Sequence, residues 1–374
     1  MAGGLVAALV LAACGSARPA ASSHPAAAAD EVTPLATSMI SPDGTSWAIV
    51  DMGGLATQHQ NFWQLFTRPA ASPTWRLATP LGVADNGGLV VAATGANSMV
   101  TGFRPSQDLM FSPLASTADG GANWSPGGPL PGGLANAPDA LAAGPAGQLI
   151  AVTSSGGALL RTGPQAGWTR LTTLRQLAAT AAGRSCGLTA LTGAAFGPGG
   201  TVLLAGDCGR ARQLGIFAQA GGTWTLRPPV LPDYGSTRVL SLATAGSVTT
   251  AVIGVGSGQS GGLVVAWLNA GGDWTSSAEL HTGSATVLSA SIWPGGAAGV
   301  VLSGSSAAVL TGPSARWQRF GSLPASTATL ARGPDGQVEA LSAKGATASV
   351  WDVKSGSWAL AQTIKVQIPY GSSG

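Results

Sequence analysis

Short apolar runs separated by glycine-rich turns recur along most of this 374-residue chain. In the clearest stretch, Leu188–Phe196 meets the turn Gly197-Pro198-Gly199-Gly200 and continues as Thr201–Ala205 and Leu214–Gln219. Past Gly221-Gly222 it ends on a strand carrying Trp224. Runs of this length, punctuated by glycine and proline, predict β-strands rather than helices. Ala328–Arg332, the turn Pro334-Asp335-Gly336, Val338–Ser342, Ser349–Val353 and Trp358 repeat that order. So do Ser38–Ile40, Pro42-Asp43-Gly44, Trp47–Asp51, Phe62–Thr67 and Trp75. The predicted unit is therefore four strands, the last opened by a tryptophan. Seven such units fit when the first is taken as Thr37–Thr79; counted by strands, the Leu188 stretch is the third and the Ala328 stretch the sixth. Past Trp358, Ile364, Val366 and Ile368 alternate with polar residues as in a half-buried strand, and this tail is expected to seal the assembly.

The tryptophans give the repeat its period. Trp75, Trp124, Trp168, Trp224, Trp274, Trp317 and Trp358 each follow a turn of small residues and are separated by 49, 44, 56, 50, 43 and 41 positions. A mean near 47 is in the range of one four-stranded propeller blade per repeat. The other five tryptophans fall outside this register, and scattered core tryptophans in a different β fold are the alternative. One turn carries more information: Thr117-Ala118-Asp119-Gly120-Gly121-Ala122-Asn123-Trp124. Asp119 can accept from backbone N–H groups just ahead of it, Gly120 and Gly121 permit positive φ, and Trp124 supplies a ring to bury. Through Thr117, Asp119, Gly121 and Trp124 the octet resembles the Asp-box, S/T-x-D-x-G-x-x-W, of sialidase-like and related repeat propellers. The resemblance implies an all-β, seven-bladed β-propeller of four-stranded antiparallel blades.

Composition agrees with all-β structure, with 56 Gly and 24 Pro. Only 9% of residues are charged and the net charge is +3, so no nucleic-acid footprint is indicated. The N-terminus reads differently from the rest. Leu5 to Ala13 is apolar and too short to span a bilayer, and Leu11-Ala12-Ala13-Cys14 resembles the lipobox of bacterial lipoproteins. That resemblance implies a signal peptide over 1–13 and a lipid on Cys14, although no Lys or Arg precedes the apolar run, which suggests a start further upstream. Gly15 to Pro34 is Ala, Ser and Pro with almost no large apolar residue, so 14–34 is expected to be a disordered tether spanning about 25 Å. The propeller is then assigned to 35–370. The expected location is the extracytoplasmic face of the cell membrane, as in an actinobacterial cell, with the protein a monomer.

Cys186 and Cys208 flank the hairpin of the Leu188 stretch. Antiparallel pairing brings those ends together, so a disulfide is natural, with free thiols or a metal site as alternatives. In the family that the octet resembles, loops entering the first strand and leaving the second carry ligands. That rule places Arg104, Asp108, Arg175, Asp207, Asp233 and His281 on the ligand face, together with a cluster of Arg184, Arg210, Arg212, Tyr234 and Arg238 assigned to the third and fourth blades. Arginine forks suit carboxylate or phosphate. The expected function is a rigid binding or scaffolding module for a protein, peptide or glycan, without catalysis or cofactor. The alternative is a sialidase-like glycosidase, a family that uses three arginines, a Tyr–Glu nucleophile pair and an Asp acid/base. Phe103-Arg104-Pro105 resembles that family's F-R-I-P without its isoleucine, and of the three glutamates Glu31, Glu279 and Glu339, Glu279 could meet Tyr234, although nothing in the spacing requires it. No P-loop, dinucleotide fingerprint, H-E-x-x-H or G-x-S-x-G motif is present.

Overall fold

The computed structural model describes residues 38–41, 43–52, 62–70, 72–80, 89–103, 112–126, 134–153, 155–257 and 260–367. The chain divides into two units, of which Met1–Val32 lies outside the described residues and Thr33–Gly374 forms the folded body. Seven antiparallel sheets follow one another, spanning 38–77, 89–126, 138–173, 188–226, 236–283, 287–320 and 327–365. Six have four strands in sequential order, and first strands of successive blades touch along the chain from blade 2 to blade 7. The fifth differs at its edge: Trp274–Ser276 and Leu280–Gly283 both pair with Ser260–Leu268, so two short strands share the outer position. The molecule is an all-β, seven-bladed propeller.

Seven apolar clusters hold the ring, one between each pair of neighbouring blades. Successive residues of a strand point to opposite faces, and each blade is covered on both. Ile49 thus packs toward blade 2, while its neighbours Ala48 and Val50 pack toward blade 7. This is why the strands read as continuous apolar runs rather than clean alternation.

Every tryptophan of the 47-residue register stands at the opening of an outer strand. Trp75 precedes Arg76–Leu77, Trp168 precedes Thr169–Thr173, and Trp358 lies in Ser357–Lys365. The five outside the register have another task. Trp47, Trp63, Trp267 and Trp293 are buried on inner strands and Trp351 is half-buried. Four of these donate their N–H to a nearby oxygen, as Trp47 does to Ser41 Oγ (3.0 Å) and Trp351 to Ser342 Oγ (2.9 Å). The strand-based count needs correction: the Leu188 hairpin belongs to the fourth blade and the Ala328 unit is the seventh. The tryptophan spacing carried the right number, because a complete sheet at 138–173 precedes the hairpin.

The Thr117–Trp124 octet forms the tight connection into Ser125–Pro126. Asp119 accepts from the Asn123 backbone (2.9 Å) and side chain (2.7 Å) and from Thr117 Oγ1 (2.8 Å), and these bonds lower its carboxyl to about 2. Gly120 and Gly121 take φ of +71° and +85°; a Cβ on Gly121 would lie 2.8 Å from that of Ala78, so the turn needs glycine there on both counts.

Among the described residues no strand is exchanged to close the ring. Blade 1 is built wholly from the first strands and blade 7 wholly from the last, and side chains join them. Arg68, in Phe62–Arg68, forms an ion pair with Glu339, in Val338–Lys344, at side-chain exposures of 2% and 5%. Trp75 Nε1 donates to Glu339 Oε2 (3.1 Å), and the Arg68 guanidinium stacks over the Trp75 ring, 4.9 Å from its centroid. The Gln362 amide accepts from Trp75 N (2.8 Å) and donates to Trp75 O (2.7 Å), filling a strand partner's place. Ser38 works from the inner side, donating its N–H to Ser291 Oγ (2.9 Å) and its hydroxyl to Leu330 O. The tail takes part as expected: Ile364 pairs with Ala348, and Val366 is buried beside Met52, Phe66 and Trp75 of blade 1. Ile368 lies outside the described residues.

Candidate functional site

Between blades 3 and 4 the chain forms two short helices that the apolar pattern did not predict, α1 (Leu174–Ala178) and α2 (Ala181–Cys186). Their signals are in the caps. Thr173 and Gln176 make a reciprocal capping box, Thr180 Oγ1 accepts from Gly183 N (3.0 Å), and Gly187 ends α2 at φ +67°. The helices approach so closely that a Cβ on Gly183 would lie 2.1 Å from Leu177 O. Arg175 and Arg184 therefore project from helices rather than from loops.

Cys186, the last residue of α2, is bonded to Cys208, the last residue of Val202–Cys208, with Cα atoms 5.1 Å apart. The neighbouring backbone repeats the tie: Gly209 N donates to Gly187 O (2.8 Å) and Arg210 N to Cys186 O (3.2 Å). Arg184 on one segment and Arg210 on the other are thus carried by a single stapled unit. Arg210 and Arg212 lie in the 209–214 connection, where Arg212 adopts φ +64°.

The cluster is real as a neighbourhood but less cationic than a count of arginines implies. Arg212 Nε lies 3.2 Å from Asp233 Oδ1, and Arg238 Nε lies 3.3 Å from Asp207 Oδ1. Arg184 donates to the Ala179 carbonyl and stays exposed. Four guanidinium groups against two carboxylates leave two net positive charges, and Arg210 has no hydrogen-bond or ion-pair partner for its side chain among the described residues. The cluster spans blades 4 and 5, one blade further along than the strand count placed it. Arg104, Asp108 and Cys14 lie outside the described residues.

Tyr234 and Glu279 do meet. Tyr234 packs against the apolar cluster between blades 4 and 5, and its hydroxyl hydrogen-bonds the Glu279 carboxylate. Glu279 in turn lies 2.8 Å from Nδ1 of His281, which sits on the outer strand Leu280–Gly283 of blade 5. Burial, then the Glu279 charge and hydrogen bond, push the Tyr234 phenol above its ordinary value. A tyrosine so placed keeps its proton until a base removes it, and Glu279 beside it is a group of that kind. Among the described residues no group of three His, Cys, Asp or Glu side chains is arranged to hold a metal.

No protein-family model matches this chain, and no curated protein matches it in sequence. Its fold is shared with solved seven-bladed propellers. A GH74 xyloglucanase from Xanthomonas campestris is similar at TM-score 0.52 and 14% identity, over 86% of this chain and 52% of that one. A streptogramin B lyase gives 0.51 and 11%, over 82% and 90%. A YCF48 protein solved with a D1 peptide gives 0.46 and 15%, over 84% and 92%. At these identities the likeness is one of fold.

Proposed function

We propose that this propeller is a non-catalytic binding module of the cell envelope, held by a lipid on Cys14, that receives an acidic protein or glycan partner on the blade 4–5 loops. The observation that carries the reading is the stapled pair of segments at Cys186–Cys208, which presents Arg184 and Arg210 in fixed relation. Loops already ordered lose less entropy on binding, and a patch with two net positive charges attracts anionic groups. The Tyr234–Glu279 contact is the one feature favouring the glycosidase alternative. Hydrolysis of a fluorogenic sialoside by the purified protein would reinstate that alternative.

The test of the binding face is a series of single reversals to glutamate at Arg184, Arg210, Arg212 and Arg238, measured against the partner recovered from envelope extract. Arg210→Glu should weaken binding most, by about tenfold, because among the described residues its side chain has neither a carboxylate nor a carbonyl partner. The affinity should also fall with salt, since exposed charges are screened beyond about 8–10 Å. Four reversals without effect, alongside loss of binding from changes on another face, would refute the assignment.

The anchor has its own test. Wild-type protein should partition into a detergent phase and Cys14→Ser should not; equal partitioning would remove the lipid from the proposal.

A further inference from the structure

A recess of the described surface lies elsewhere, against blade 3 on its blade 2 side. It encloses about 390 Å³, within the roughly 300–1,000 Å³ of small-molecule sites. One wall is a chain of hydrogen bonds: Asn136 Nδ2 donates to Ser155 Oγ (3.1 Å), which shares a proton with Thr153 Oγ1 (3.0 Å). The Asn136 carbonyl oxygen has no partner within the described residues, so an acceptor remains available. The other wall comes from the outer strands, where the Trp168 indole and the Arg170 side chain line the cavity.

Of the two guanidinium groups nearby, Arg170 lines the cavity and Arg161 stands over the indole outside the lining, and neither is ion-paired among the described residues. Arg170 is exposed and makes no hydrogen bond or ion pair with other described residues. Arg161 lies over the Trp168 ring, 5.6 Å from its centroid, and its Nε is buried without a partner. The indole offers a flat apolar surface, the amide and hydroxyls offer two-way hydrogen bonding, and Arg170 offers a carboxylate fork. That combination suits a ring bearing both hydroxyl groups and a carboxylate.

The geometry points to a second site, the Trp168–Arg170–Asn136 cleft of blade 3, that binds an acidic saccharide of one or two sugar units. The sugar's C–H face would lie on Trp168, its carboxylate on Arg170, and its hydroxyls on Asn136 and Ser155. This site uses none of the arginines of the blade 4–5 face, so either assignment can fail without the other.

The experiment is calorimetric titration of the full chain with digalacturonate and with a hyaluronan disaccharide, beside neutral cellobiose and the tripeptide Ala-Ala-Ala with a free C-terminus. Saturable binding of an acidic disaccharide is expected, with cellobiose at least about tenfold weaker. Arg170→Met and Trp168→Ala should each reduce affinity by about tenfold, while Lys354→Glu, on the exposed end of a blade 7 strand, should leave it unchanged. Arg170 is exposed, so its variant tests the cleft even if the tryptophan variant folds poorly. Absence of saturable binding by both acidic disaccharides overturns the proposal. So does binding that Arg170→Met leaves intact, and preference for the tripeptide would replace the saccharide with a peptide carboxylate.

Discussion

Truncating Glu339 to alanine is expected to cost the propeller about 3–5 kcal/mol, a large fraction of an ordinary domain's 5–15. The loss would fall on the seam between blades 1 and 7, where Arg68 would remain charged, buried and without its carboxylate. Trp75 Nε1 would lose its acceptor at the same time. The pair nevertheless does not stabilise the ring by attraction alone. Burial pushes the Glu339 carboxyl up, and the opposing pull of Arg68 and the Trp75 N–H does not fully return it. A buried pair of this kind contributes little net stability, while removal of one partner leaves an uncompensated charge. It follows that Arg68→Met combined with Glu339→Leu should recover most of the stability lost in either single variant. Denaturant midpoints at constant m would measure both effects. A double variant no more stable than Glu339→Ala would show that the loss comes from packing and not from an uncompensated charge.

Removing the disulfide should be nearly as costly. Cys186 and Cys208 are 22 positions apart, and closing a loop of that size restricts the unfolded chain by about 3 kcal/mol in the chain-entropy account. Cys186→Ser with Cys208→Ser should therefore lower the melting midpoint by several degrees, as should reductant on the wild type. An unchanged midpoint in both would mean that the backbone bonds from Gly209 and Arg210 already hold the segments together. The same variant bears on function. If preorganisation matters, its affinity for the acidic partner should fall even where all four arginines are retained.

What could be read from the chain was local and repeated. Each blade is complete within about 47 residues, so its turns, its four strands and its outer tryptophan recur at a spacing visible in one dimension. The Leu188–Phe196 strand and the neighbouring cysteine pair were legible for the same reason: their contacts lie within a single hairpin. The helices at 174–186 escaped because they are one or two turns long, marked by caps rather than by an apolar period.

The tertiary structure alone decided which distant groups meet. Arg68 and Glu339 are 271 positions apart, and nothing in the neighbourhood of either names the other; closure of the ring brings them together. The same holds for the aspartates that partly neutralise the predicted arginine cluster. Asp233 and Asp207 were legible as ligand-face residues, but their pairing with Arg212 and Arg238 depends on how two blades are juxtaposed. The blade 3 cleft was missed for a related reason. Trp168 reads as a repeat marker in the sequence, and only the packing of the blades leaves its ring beside a cavity that the unpaired Arg170 also lines. Sequence periodicity determined the blade and the number of blades, because each is an independent short-range solution to burying apolar strands. The seam, the charge balance and the cleft were set by ring geometry, which brings together side chains whose separation along the chain carries no period.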